Sequence, residues 1–183
     1  MNISEQNLHQ IESARDEFTG LYNRSYVEGT LEREIVRAGA RGRSVSVVMI
    51  DLDHFEQFKD ECGEAAAGIL LQLIAQLIQS QTRPTDFACR YRHSEFAIVM
   101  PEAPANVARQ RAEQLRAGIR RVGWCHNDSL SAPVTVSAGV ASFPDHAADT
   151  SSLLYAAGAA LCRATVRGRD RVMVAAASRP AVA

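Results

Sequence analysis

The sequence predicts an α/β fold, with a mixed, largely antiparallel central sheet flanked by helices, in the broad palm-like or ferredoxin-like class. Three observations carry this expectation. Apolar, β-branched runs alternate with segments of helical periodicity. Two neighbouring runs, 87–91 and 96–100, are joined only by Arg92 to Glu95 and read as a β-hairpin. The chain of 183 residues is long enough to bury a core as one domain.

The elements follow in order. Ile3, Leu8, Ile11 and Ala14 fall near helical spacing, which predicts an N-terminal helix or linker over 1–15. DEFTGLYNRS (16–25) is turn-like and leads into a helix over 24–40, with Ser25 and Glu28 placed as an S-x-x-E capping box. SVVMIDLD (46–53) is a buried strand. Ala65, Ile69, Leu73 and Ile78 mark a helix over 64–80. After the hairpin, Pro104 opens a helix that runs to Arg121. A strand over 134–141, a helix over 151–166 and a short strand over 171–174 complete the domain, assigned to 16–174. The alanine-rich stretch 175–183 is expected to be a disordered tail.

Composition narrows the function. Lys plus Arg total 20 against 21 Asp plus Glu, for a net charge of -1, which excludes a polybasic nucleic-acid binder held by its overall field. Of the 20 cations 19 are Arg, a residue whose planar fork grips phosphate and carboxylate in ways Lys does not copy; Lys59 is the only Lys. The most apolar segment, 65–78, is interrupted by Gly68, Gln72 and Gln76 and falls short of the ~18 to 20 residues of a membrane span. MNISEQNLHQ lacks the basic head and apolar run of a signal peptide. The four cysteines form no CxxC, and the histidines are scattered, so no zinc cluster is expected. No membrane or nucleic-acid partner is expected, and a reduced, cytoplasmic setting fits.

Strand 46–53 ends in Asp51 and Asp53, two residues apart and so on one face at a strand exit. Such carboxylates suit a magnesium ion holding a nucleotide triphosphate. A solvated strand end, with Asp53 capping the following turn, accounts for them equally well.

Longer blocks decide between these readings. DEFTGLYNRS (16–25), MIDLDHFEQFKDECG (49–63), RPTDFACRYRHSEFAIVMP (83–101), VTVSAGVA (134–141) and RGRD (167–170) occur in the order and spacing of a GGDEF domain, and the resemblance spans 16–174. It implies the fold of the cyclases that condense two GTP into cyclic di-GMP, with the signature hairpin at the active site.

The signature is eroded. Arg92, His93, Ser94, Glu95 and Phe96 stand in place of G-G-[DE]-E-F. Glycine permits a tight turn and close backbone approach to a nucleotide, and Arg92 and His93 put side chains there. Ser94 replaces a metal carboxylate and is a poor magnesium ligand. Asp51, Asp53 and Glu95 remain as relict metal candidates. The resemblance further matches Lys59 to a guanine-reading Asn, Gly68 to a guanine-reading Asp and Thr165 to a phosphate-holding Lys. Glu56 stands where relatives carry Lys, while Arg169 matches the family's Arg. Each lost clamp or ligand costs about 2.7 to 4 kcal/mol of transition-state stabilisation. The expectation is a domain with no catalytic residues, not an enzyme and requiring no cofactor, with Mg²⁺ optional.

Arg83-Pro84-Thr85-Asp86 sits at the spacing of the family's R-x-x-D inhibitory site, so the resemblance implies cyclic di-GMP binding by Arg83 and Asp86. Arg167 to Asp170 repeats the pattern elsewhere, and a local surface ion pair accounts for either. A further Arg that completes the site in relatives corresponds to Gln114, although Arg111 lies one turn away. Arg92, Arg111 and Arg169 are candidate phosphate contacts. Arg109, Arg116 and Arg120 read as a solvated helix face. The expectation is thus a cyclic di-GMP receptor. The alternatives are a protein-interaction module without a nucleotide ligand and a GTP-binding or weakly active cyclase using the residual carboxylates. A signalling partner protein is compatible with all three, and the sequence leaves the oligomeric state open.

Overall fold

The computed structural model describes residues 14–122 and 133–177, together with the backbone of 125–126 and 129–130. Of the N-terminal helix or linker expected over 1–15, residues 1–13 lie outside the described residues, as does the tail beyond 177. Ala14 and Arg15 are not helical: Arg15 forms an isolated antiparallel bridge to Tyr22, and Ala14 O accepts from Asn23 N. Ala175, assigned to that tail, belongs to the fold: it is buried and donates its N–H to Val140 O.

The elements are β1 (Tyr22–Asn23), α1 (Arg24–Arg41), β2 (Val45–Leu52), α2 (Phe55–Cys62), α3 (Glu64–Gln81), β3 (Phe87–Arg92), β4 (Glu95–Pro101), α4 (Ala105–Ile119), β5 (Cys125–His126), β6 (Ser129–Leu130), β7 (Val136–Phe143), α5 (Thr150–Val166) and β8 (Val172–Val174). β5 and β6 pair as a separate ribbon. The other six strands form one sheet in the order β1-β3-β4-β2-β7-β8. The β3–β4, β4–β2 and β2–β7 pairs are antiparallel, and the outer pairs β1–β3 and β7–β8 are parallel. The predicted mixed sheet is the one observed.

β2 is central and buried on both faces, so it reads as a continuous apolar run rather than an alternation. Val48, Ile50 and Leu52 pack against α3 and α4 on one face, and Val47 and Met49 pack against α1 and α5 on the other. At Gly139 of β7 the helix lies so close that a Cβ would collide with the backbone of Ala157 and Leu161. Only glycine permits that approach.

Two local expectations change. The cap of α1 is Asn23, whose side chain accepts from Tyr26 N at 2.9 Å; Glu28 instead accepts from Arg24 Nε and Tyr91 Oη. A separate helix, α2, fills the stretch after Asp53, begun by His54 at φ 58°. Its eight residues bury only Phe55, which leaves little apolar periodicity to read.

Candidate functional site

β2 ends beside the hairpin tip, and this register builds the first constellation. Asp51 lies directly opposite Glu95. The hairpin turns through His93 and Ser94 with a register shift between Arg90 and Arg92. His93 takes φ 22°, a left-handed value that a side chain disfavours. Arg90 holds the turn, donating from Nε and Nη2 to His93 O at 3.0 Å each.

Ser94 Oγ donates to Asp51 Oδ1 at 2.7 Å, and Arg92 Nε sits 3.3 Å from Glu95 Oε2. Burial holds the Asp51 carboxyl above its ordinary value, against the opposing pull of the Ser94 hydrogen bond; Asp53 pushes it further up and Arg169 draws it down. Glu95 is also raised, chiefly by burial, with Arg92 lowering it and Asp51 raising it. Two carboxylates that resist ionisation together form a place where a proton or a cation is welcome. They open on a cleft of about 1090 Å³ between α1 and α5, which Arg92 and Thr165 also line.

Asp53 has a different fate. Its carboxylate accepts from Thr135 Oγ1 and Ser137 Oγ at 2.7 Å each and from Asp170 N at 3.0 Å. It is a staple joining the end of β2 to β7 and to the turn before β8. Among the described residues no group of three His, Cys, Asp or Glu is placed to hold a metal ion. Asp51 and Glu95 are brought together; Asp53 is committed elsewhere.

The staple fixes Arg169. The turn between α5 and β8 has positive φ at Gly168 (107°), Arg169 (60°) and Asp170 (43°). Asp170 is gripped by Arg116 Nη1 at 2.5 Å and Arg120 Nη1 at 3.2 Å. Arg116 is thus tied into the turn, whereas Arg120, with its side chain 57% exposed, and Arg109 remain on the solvated face that the sequence suggests, and the second R-x-x-D is a turn lock.

Lys59 and Gly68 meet in a cavity of about 670 Å³ beneath the hairpin, alongside Glu56. Lys59 Nζ pairs with Glu64 Oε1 at 3.0 Å.

The first R-x-x-D lies at the opposite end of the sheet, before β3. Asp86 folds back to accept from Arg83 N at 2.8 Å, and its own N–H donates to Arg83 O at 2.9 Å. Its side chain is 2% exposed and carries an ion pair to Arg111 Nη2 at 2.5 Å. Arg111 thus supplies the cation from α4, one turn before Gln114. Asp86 and Arg83 are joined through the backbone; no ion pair to the Arg83 guanidinium is formed among the described residues. That guanidinium lines a cavity of about 430 Å³ shared with Arg37, Arg41 and Arg43. The sequence reading missed these three arginines, which belong to the α1 end and the loop after it. Their spacing in 37–43 was the available signal.

Comparison with known proteins gives these positions a family. The model of the family "Diguanylate cyclase, GGDEF domain" matches residues 13–171. Diguanylate cyclase DgcP of Pseudomonas aeruginosa is 33% identical over 160 residues, covering 87% of this chain and 24% of that protein. Diguanylate cyclase DosC of Escherichia coli is 32% identical over 161 residues, covering 88% of this chain and 35% of DosC. The chain thus spans about a quarter to a third of these relatives. The solved GGDEF domain of DgcB from Caulobacter crescentus, in complex with c-di-GMP, superposes with a TM-score of 0.83 at 27% identity, covering 88% of this chain and 92% of that one.

These relatives correct one expectation. The eroded signature points away from an enzyme, whereas the proteins matched along nearly the whole domain are cyclases, so the chain stands in an enzyme family. Residues 92–94 lie at the tip of the β3–β4 hairpin, within the 13–171 span that the family model matches.

Proposed function

Because the chain belongs to the GGDEF family of diguanylate cyclase domains, we propose that it serves cyclic di-GMP signalling by binding cyclic di-GMP at the arginine-lined end of the sheet. The observation that carries the reading is a preset aspartate beside an arginine whose guanidinium forms no ion pair among the described residues. Asp86 is desolvated and oriented by Arg111 and the Arg83 N–H. Arg83 projects into a cavity with Arg37, Arg41 and Arg43. Cyclic di-GMP carries two phosphates and two guanines, and forked guanidinium groups suit phosphate oxygens and guanine acceptors alike. Asp86 and Arg111 brace the turn that presents Arg83. The complex of the similar DgcB domain with c-di-GMP supports the ligand class.

Calorimetry of the full chain with cyclic di-GMP tests this. Binding is expected, and Arg83→Ala is expected to abolish it while leaving stability within about 0.5 kcal/mol, as for a surface substitution. An affinity unchanged in Arg83→Ala sinks the proposal.

A second reading has one specific support, the Asp51–Glu95 pair facing the large cleft. These are the residues that would hold Mg²⁺, which when bound neutralises phosphate charge. Incubation with GTP and Mg²⁺ tests for cyclic di-GMP formation, and Glu95→Gln is the matching variant.

A further inference from the structure

Unlike α1 and α4, whose solvent sides carry Glu32, Arg33 and Arg109, α5 has Arg163 as its only charged residue. Arg163 is turned to the sheet edge, where its Nη2 donates to Val174 O at 3.2 Å. The inner face of α5 is packed through Leu153, Ala157, Ala160, Leu161 and Ala164. Its outer face presents Ser151, Tyr155, Cys162 and Val166, with Gly158 and Ala159 half-buried between them. Tyr155 and Val166, at 79% and 80%, are the most exposed large hydrophobics of the described residues. A helix that is apolar all round is one that something covers.

We propose that this face docks a second copy of the chain, as an antiparallel, two-fold pair of α5 helices. The order of residues along the helix carries the assignment. A two-fold axis between Gly158 and Ala159 lays Tyr155 of one copy on Cys162 of the other, and Ser151 on Val166. The small residues at the crossing let the two backbones approach closely. The ends match in charge. Asp149, the exposed N-cap, comes within one residue of facing Arg167, the exposed C-cap, so acid meets base at both ends of the seam. Hydrogen bonding from Ser152 holds the Asp149 carboxyl below its ordinary value, which keeps it charged. The opposed helix dipoles add to the match, and a parallel pair would set like charges and like dipole ends together. No residue of α5 lines the arginine-rich cavity, so the inference stands apart from cyclic di-GMP binding. A seam of 17 residues is about 25 Å long and smaller than a standard interface, so the association is weak and concentration-dependent.

Sedimentation equilibrium of the nucleotide-free full chain tests this. A monomer–dimer equilibrium is expected, with a Kd on the order of tens of micromolar. Tyr155→Glu is expected to weaken it about tenfold or more, since it places a charge in the centre of the seam. Tyr155 is 79% exposed, so thermal melting of this variant should match that of the unaltered chain and separates lost docking from lost folding. Tyr155→Cys gives the positive readout: mild oxidation should yield a covalent dimer whose peptide map joins residue 155 of one copy to Cys162 of the other. A chain that stays monomeric up to about millimolar concentration overturns the inference. So does a dimer that Tyr155→Glu leaves unchanged, which would use another face, or a bridge joining Cys162 to Cys162, which a parallel pair would give.

Discussion

The chain contains the same four-residue pattern twice, Arg83 to Asp86 and Arg167 to Asp170, and the structure gives the two copies different work. Both aspartates are gripped by arginines of α4 and its C-cap: Asp86 by Arg111, Asp170 by Arg116 and the capping Arg120. Around Asp86 the ion pair is nearly dry, with side chains 14% and 2% exposed, and the motif's own Arg is left facing a cavity. Around Asp170 the pairs are half open, and the backbone N–H of the same residue is claimed by Asp53. The first copy presents a guanidinium; the second pins a turn. Burial and the neighbours of α4, not the pattern, separate them.

Removing the buried partner should break the first copy most severely. Asp86→Ala strands Arg111, whose Nη1 is already without a hydrogen-bond partner among the described residues. An uncompensated buried charge costs about 3 to 5 kcal/mol. Denaturant unfolding should show a loss of that order, and a loss below about 1 kcal/mol would mean that the pair is wetter than its geometry indicates. The matching change in the second copy, Asp170→Ala, frees arginines that solvent already reaches and should cost no more than about 1 kcal/mol from the ion pairs.

The second copy depends more on Asp53. Asp53→Ala leaves two hydroxyls and one amide without their acceptor at the junction of β2, β7 and the turn. A lost acceptor of this kind costs about 1 to 3 kcal/mol, an intermediate effect. Hydrogen exchange should localise it: the Asp170 amide loses protection while the β3–β4 amides keep theirs. Uniform loss across the sheet would show that Asp53 supports the whole fold rather than the turn.

This contrast also shows where sequence reading stops. The order of elements, the hairpin and the central β2 are local features of apolar periodicity, and the chain carries them openly. Asp51 and Glu95 also come out together, since hairpin and strand register bring them opposite each other. Asp53 does not. Its residue type and spacing match a metal ligand, and only the arrival of Thr135, Ser137 and Asp170 N from distant segments makes it a staple. The same holds for Arg111. The resemblance places the completing arginine at Gln114 and leaves Arg111, one turn away, as a candidate phosphate contact, whereas the packing of α4 against the β3 turn gives Arg111 an ion pair with Asp86. Contacts between segments far apart in the chain set these roles, and neither spacing nor composition encodes them.

The smallest expected effect links the turn lock to the hairpin. Asp51 feels the positive charge of Arg169, which lowers its carboxyl, while burial, the larger influence, keeps it above the ordinary value of 3.8. A carboxyl raised in the folded state binds its proton more tightly there than in the unfolded chain. Its favourable contribution is thus present at low pH and is lost as pH rises from the unfolded value through the folded one. Arg169→Ala removes the lowering influence, so the Asp51 midpoint should move further up and the loss of stability should extend to higher pH. Carboxyl chemical shifts across the acid range read the midpoint directly, and denaturant midpoints read the stability. Ser94→Ala should shift Asp51 in the same direction, because the hydroxyl it removes favours the ionised form. If Arg169→Ala leaves the Asp51 midpoint in place while Ser94→Ala moves it, the second copy acts on the turn alone, and its arginine is electrostatically silent at the hairpin.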